Sequence, residues 1–396
     1  MLQIEECHSL TFLTRGHLPP FLEQLSLINC KKLDGLLDDK KDTFSFSTSS
    51  VHDEDVTLAS TNLLEYLYIS QCPSLTFLSS RDQLFIGLKH LDIRDCSGLR
   101  TLLLQGQLPT TLEHLEISGC SELIRLSTNG LLPKMLKHLD IADCPKLKSI
   151  AKSFDKGTFV GFIQIKNCKN LEFIPEGIHN LDSLHTMYVQ DCPSLVSFPS
   201  KGFPNTNLTV LSIERCEKLT ALPSRLQNLH CLQQLVTRQC PSIMSIPKEG
   251  FPANLTSLSI ADVSLYNSLF EWGLHNLTSL RYLEIRGCLD AICFPIEEMS
   301  MVLPTSLTQL TIRGFPKLKY LSSRGFETLK SLEELSISDC PELSSFPESL
   351  PSSLLQLYIS NCPSLKKHCR RNKGQEWSKI ADIPRVRIDY EFIYDT

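Results

Sequence analysis

The chain has 396 residues, with 39 Lys and Arg against 44 Asp and Glu for a net charge of −5, and it carries 22 Pro, 17 Gly and 16 Cys. So even a balance gives no general grip on nucleic acid or an anionic membrane, each of which calls for a basic face. No apolar run approaches the roughly 18 residues of a spanning helix, and Met1-Leu2-Gln3-Ile4-Glu5-Glu6 lacks the basic start and apolar core of a signal peptide.

These features describe a soluble chain with neither nucleic acid nor a membrane span among its expected partners. Length alone predicts two or three globular domains at roughly 100 to 200 residues each, unless the chain is an array of repeats.

The cysteines decide between these options. Thirteen share the context L-x-x-L-x-I-x-x-C-x-x-L, and eight of them (Cys72, Cys96, Cys120, Cys144, Cys168, Cys192, Cys216 and Cys240) recur at a step of 24 residues. Neither a disulfide framework nor a metal site produces such identical intervals. Cys7, Cys30, Cys288, Cys340 and Cys362 complete the set, and Val263 and Phe315 hold the same slot in two further copies, for about 15 repeats. Cys231, Cys293 and Cys369 fall outside the pattern.

A period of 20 to 29 residues with this pattern is the signature of leucine-rich repeats. The predicted fold class is an α/β solenoid, a leucine-rich-repeat horseshoe with a parallel concave β-sheet. Its convex side is expected to be mostly loop and turn, with a few short helices. In KHLDIRDCSGL, Leu91 and Ile93 point into the stack while His90, Asp92 and Arg94 point out of the sheet. Leu88, Cys96, Leu99 and Leu102 complete the inner ring. Cysteine suits the turn because it is small, usually buried and carries a weak donor that reaches backbone in a tight corner.

Stacked strands about 4.8 Å apart present parallel Cβ vectors, which disfavours disulfides between neighbours. The many free thiols then argue for a reducing compartment. With no C-x-x-C pair and a spacing that cannot converge four ligands, zinc and other metals are not expected, and no cofactor is.

Along the chain, Leu2 and Ile4 already occupy strand positions of a repeat without its leading segment, so further chain upstream is expected. Between Cys30 and Cys72, an insertion at 38–60 is charged and serine-rich and reads as an exposed loop. From the seventh repeat on, the leading segments alternate. Proline-bearing ones (GFPNTNL, GFPANL, VLPTSL, SLPSSL) should cross as extended or turn segments. Apolar ones (GIHNLDSL, RLQNLHCL, GLHNLTSL, GFETLKSL) have room for about one helical turn. Repeats fill 1–365, and 366–396 reads as a cap: Trp377 and Ile380 plug the last ring, and Val386 and Ile388 alternate as a closing strand.

The repeats, as in SLEELSISDCPEL and SLLQLYISNCPSL, resemble the C-terminal leucine-rich domain of plant intracellular nucleotide-binding disease-resistance proteins of the coiled-coil class. The ending CPSLKKHCRRNKGQEWSKIADIPRVRID resembles that of the same class: C-P-x-L, basic residues, G-x-x-W, then K-I-x-x-I-P. The resemblance implies a recognition module that senses pathogen effectors or the host proteins they modify. It also implies restraint of a nucleotide-binding switch domain, in the same chain or another, and a cytoplasmic or nucleocytoplasmic location. The nucleotide site is not carried over, because no G-x-x-x-x-G-K-[ST] occurs here; the switch domain is absent from this sequence.

The outward strand positions are the expected contact surface. Tyr66, Tyr68, Tyr188, Tyr282 and Tyr358 lie there with Arg94, Arg238, Arg286, Arg313, Glu214 and Glu284, and Tyr and Arg are enriched at interface hot spots. The bland reading is a solvated polar face. His90, His114 and His138 stand one repeat apart in one register, beside Asp92, Glu116 and Asp140; such stacked imidazoles and carboxylates couple their protonation. The alternative is simple duplication of K-H-L-D-I.

Three N-L-T sequons, at Asn207, Asn254 and Asn276, follow from the repeat pattern, and the cluster Lys366, Lys367, Arg370, Arg371 and Lys373 reads as a solvated cap rim. No catalytic constellation appears; His230 beside Cys231 is a sequence neighbour and not a dyad, so no enzyme is expected. A leucine-rich-repeat substrate adaptor of a ubiquitin ligase is the alternative function, although its repeats run nearer 26 residues and follow an F-box; a truncated decoy repeat protein is another.

Overall fold

The computed structural model describes residues 1–14, 18–37, 63–79, 85–104, 107–127, 130–203, 207–261, 263–287, 289–295 and 302–393. The insertion at 38–60 and Cys288 lie outside the described residues, as does the Val263 side chain. The chain forms two compact units, Met1–Pro204 and Asn205–Thr396.

In the first unit the strands Leu2–Glu5, Gln24–Ile28, Tyr66–Ser70, His90–Arg94, His114–Ser118, His138–Ala142, Phe162–Lys166 and Thr186–Gln190 pair in sequence order, every pair parallel. In the second unit Val210–Glu214, Gln234–Arg238, Ser257–Ala261, Tyr282–Arg286, Gln309–Arg313, Glu334–Ser338 and Gln356–Ser360 do the same. Each unit is thus a parallel-sheet solenoid, the architecture the 24-residue step predicts. In-register pairing matches like positions of successive repeats: Leu91 faces Leu115 and Ile93 faces Ile117. These inward residues are buried, as are the Leu residues before the strand and three after the cysteine. Each fully buried Leu or Ile contributes roughly 1.5–3 kcal/mol.

Among the described residues, the corner after these strands carries a residue in the left-handed region. Asn29, Gln71, Asp95, Asp143, Asn167 and Asp191 have φ of 51–55°, and Arg215, Gln239, Asp339 and Asn361 repeat this at 52–56° in the second unit, with Gly at 119, 287 and 314. An L-residue there costs about 1–2 kcal/mol, least for Gly, Asn and Asp. Two bonds offset the cost. The corner N–H donates to the last carbonyl of the next strand, as from Gln71 to Arg94 and from Asp95 to Ser118, both 2.9 Å.

The cysteine that follows is buried, and its thiol donates to the carbonyl two residues back: Cys72 to Ser70 at 3.4 Å, Cys144 to Ala142 at 3.3 Å, Cys362 to Ser360 at 3.2 Å. This is the packing and donor role anticipated for it. Burial pushes the Cys192 thiol up to about 11 and raises that of Cys168 as well, so both stay protonated at neutral pH. Cys7, read as a pattern member, is exposed, as is Cys231.

The leading segments follow the expected alternation. Single helical turns occupy Ile178–Asn180, Leu226–Asn228 and Leu274–Asn276 within the apolar leaders, and Ser323–Phe326 at the start of the fourth. The proline leaders close on a turn bond from Leu to Pro, Leu255 to Pro252, Leu307 to Pro304 and Leu354 to Pro351. One element was not expected, the ten-residue helix Val263–Trp272. It seats Trp272 against Gly250, where a Cβ would fall 1.8 Å from the indole, and edge-on to Phe251 at 5.4 Å. Gly250 therefore has no tolerated substitute.

At the C-terminal end, helix Pro363–His368 and the short helix Trp377–Ile380 precede strand Arg385–Ile388, which extends the sheet in parallel, and Glu391–Phe392 turns back antiparallel to it. Of the two expected plug residues Ile380 is fully buried, as are Val386 and Leu365, while Trp377 is half-buried. Buried Glu376 ties this segment to the preceding repeat, accepting the Phe346 N–H at 2.8 Å and pairing with Lys379 at 2.9 Å.

Replacing the corner residue tests the constraint. Gln71→Gly should leave the urea midpoint unchanged or raise it, whereas Gln71→Val should cost about 1–2 kcal/mol, because a β-branched residue has no relaxed left-handed conformation.

Candidate functional site

Because the strands pair in register, the outward positions of each unit form columns. In the first unit the leading column consists of rings. Tyr66, His90, His114, His138 and Phe162 stack face to face, with centroid separations of 4.2, 4.4, 5.7 and 4.4 Å and interplanar angles of 5°, 12°, 28° and 2°. Tyr188, from the third position of the next strand, closes on Phe162 at 5.9 Å with a 58° tilt. The histidine ladder read from sequence is thus the middle of a five-ring stack. Phe162 does not share the K-H-L-D-I motif, but it stands one 24-residue step after His138, in register with it.

Beside the rings, the third column carries Tyr68, Asp92, Glu116, Asp140 and Gln164. Arg94 binds Asp92 through two bonds at 2.9 and 2.8 Å, reaches Glu116 at 3.4 Å, and lies 5.9 Å over the Tyr68 ring. Gln164 donates to both oxygens of Asp140 at 3.1 and 2.9 Å; burial nevertheless raises the pKa of the Asp140 carboxyl. His138 Nε2 stands 3.8 Å from Glu116. On the other flank Glu65, Lys89, Glu113 and Lys137 alternate in charge, with pairs of 2.7 Å between Lys89 and Glu65 and between Lys137 and Glu113. Such exposed pairs are worth at most about 1 kcal/mol each, so they set the orientation of the rim more than its stability.

In the second unit the face is built around one buried carboxylate. Glu284, 7% exposed, accepts bonds from the Arg238 guanidinium, from Ser259 Oγ at 2.7 Å and from Tyr282 Oη at 3.4 Å. Burial and the Glu284 charge raise the Tyr282 phenol pKa. Arg238 also donates to Ser259 at 3.0 Å and lies 3.9 Å from Glu214, which accepts from Ser212 at 3.0 Å. Glu284 therefore positions Arg238 and Tyr282 and offers no surface of its own. Arg313 pairs with Asp339 at 3.0 Å, Arg286 is half-buried in the same column, and the Tyr358 hydroxyl is committed to Gln356.

No group of three or more His, Cys, Asp or Glu is arranged to hold a metal among the described residues. Among them, too, no helix is long and apolar enough to cross a membrane. Lys366, the first of the basic cluster on the cap, is bound to Asp389 at 2.7 Å.

Two measurements probe these faces. Burial, then the neighbouring imidazole, lowers the pKa of His90 and of His114, against the raising influence of Glu65 and Glu113 on the first and of Glu113 and Glu116 on the second. Both are harder to protonate folded than unfolded, so their contribution to stability is complete above the unfolded value of about 6.5 and is lost as pH falls below it. The urea midpoint should drop between pH 7.5 and 5.5, and drop less in a His90→Phe/His114→Phe variant, which keeps the rings and removes the titration. In the second unit, Arg238→Met, which strips a buried carboxylate of its charged partner, should cost about 1–3 kcal/mol. Arg313→Met, at a pair 47% and 37% exposed, should cost less than about 1 kcal/mol.

The repeats are similar to those of known proteins. The family model of leucine-rich repeats from RPS2-like plant disease resistance proteins matches residues 244–367. A protein of Arabidopsis thaliana named as a disease resistance protein is 38% identical over 141 residues, which are 35% of this chain and 10% of that relative. The chain thus spans a small part of that relative's length. Among solved structures, a leucine-rich-repeat protein of Leptospira interrogans is 18% identical, covering 94% of this chain and 92% of its own, with a TM-score of 0.44. The leucine-rich repeat domain of the type III effector XopL is 21% identical, covering 62% and 76%, with a TM-score of 0.41. The chain is a leucine-rich-repeat protein, and its residues 244–367 match the repeats of RPS2-like plant disease resistance proteins.

Proposed function

We propose that this chain is the recognition module of a plant immune receptor, whose outward strand faces bind a pathogen effector or a host protein that effectors modify. The same repeats hold a nucleotide-binding switch domain, in this chain or a partner, in its resting state, and the protein works in the cytoplasm or nucleocytoplasm. The observation that carries this reading is the match of 244–367 to disease-resistance repeats. Leucine-rich repeats are in general non-enzymatic interaction modules, and the two faces supply what binding needs: ordered aromatic rings in the first unit, and an oriented Arg238 and Tyr282 in the second. In this reading 1–365 is the recognition solenoid and 366–396 its cap.

The transcript upstream of Met1 tests it. A P-loop domain there supports the receptor, an F-box makes the chain a ubiquitin-ligase adaptor, and neither makes it a decoy. In a receptor, alanine at Tyr66, His90 and His114 together should reduce partner binding by tenfold or more, roughly the loss of one hot spot at 1.4 kcal/mol per decade.

A further inference from the structure

The ring column of the first unit has two unlike ends. At Phe162 the stack is closed obliquely by Tyr188. At Tyr66 it stops, since the residue in register on the next strand is Gln24, itself exposed, and the Tyr66 side remains 42% exposed. A trough of about 360 Å³ between the ring column and the third column starts at that end, running from Met1 and Gln24 past Tyr66 and Tyr68 to His114 and Glu116. That volume is at the lower end of what small-ligand sites use, and it is large enough for one side chain. The in-register spacing that stacks His90 on Tyr66 at 4.2 Å leaves the same step between Tyr66 and whatever lies above Gln24. The chain's own periodicity thus defines a ring position at which it carries the exposed, flexible Gln24 side chain in place of a ring.

We propose that this end of the trough is a slot for an aromatic side chain of a protein partner, which stacks on Tyr66 as the sixth ring of the column. Three features select an aromatic ring over an aliphatic group. Tyr66 is held parallel to His90 within 5°, so its outer face is a fixed platform. Stacked or offset aromatic pairs gain about 0.5–1.5 kcal/mol beyond the area they bury. The far wall carries hydroxyls of Ser26 and Tyr68, which satisfy the N–H or O–H of a Trp or Tyr and give nothing to a Leu. Asp92 is engaged by Arg94, so no cationic group is required. The slot deepens the recognition reading above and rests on it, but its test uses small probes, so the slot can fail while partner binding to the face persists.

The test is binding of N-acetyl-tryptophanamide, N-acetyl-tyrosinamide and N-acetyl-leucinamide to the whole chain, followed by ligand-observed NMR. The aromatic amides should bind saturably, with ring protons shifted upfield, and the leucine amide roughly 3- to 10-fold more weakly, the worth of one stacking contact. Tyr66→Leu should cost the aromatic amides the same factor. Gln24→Tyr, which places the chain's own ring in the slot, should remove their binding, while Phe173→Leu, at an exposed ring outside the column, should leave it intact. The proposal is overturned by absence of saturable binding to the wild type, by equal binding of the leucine amide, or by Gln24→Tyr binding as wild type does. Because Gln24→Tyr retains Tyr66, it decides the matter even if Tyr66→Leu does not fold.

Discussion

Among the described residues the strands of both units are followed by a residue held at φ of about 50–86°, and this corner is what the other features require. It turns the chain out of the sheet within one residue, so that the cysteine lands inside and its thiol can cap the strand it has just left. It also aims one N–H sideways at the next strand, as Asn29 does to Ser70 and Asp143 to Lys166, both at 2.9 Å. The unfavourable conformation of each corner is therefore offset partly by its own repeat and partly by the neighbour. Cooperativity between neighbouring repeats follows from this sharing. A repeat removed from the stack would keep the strained residue and lose the bond that compensates it.

The same register carries the faces. Inward positions need only be apolar and of similar size, so Leu and Ile recur there with little variation. Outward positions are free of that demand and differ between the units: one assembled rings and short ion pairs, the other a guanidinium held by a buried carboxylate. In both, side chains that would be mobile on an isolated strand are fixed by the residue one repeat away. Tyr66 is flattened against His90, and Arg238 is held by Glu284 from two strands further along. Rigid aromatic and guanidinium groups lose less entropy on contact with a partner, which is why such fixed columns suit recognition.

What the sequence made legible was whatever repeats. Strand placement, the inward Leu and Ile, the cysteine corner and the alternating leaders all follow from a motif seen many times over, where each copy corrects the reading of the others. Features that occur once were harder to see. Helix Val263–Trp272 begins where the cysteine is replaced, and its partner Gly250 gives no local sign of the indole it admits. Glu284 looks outward by parity, yet it is buried because Arg238 and Ser259 close over it. Of the two residues expected to plug the last ring, Ile380 is buried, whereas Trp377 is only half-buried. The left-handed corner is legible in the sequence in principle, since Asp, Asn or Gly precedes most of the cysteines.

The alignment of like residues across neighbouring strands also governs how such a face can change over time. Duplicating a whole 24-residue unit inserts one ring, one carboxylate and one corner together, leaving all existing neighbours in contact with an equivalent copy. The three consecutive histidines, each preceding L-D-I or L-E-I, have the form such events leave behind. Growth by whole units lengthens the stack in steps of one ring while its two ends keep their character, so the surface can gain reach without relearning how to fold.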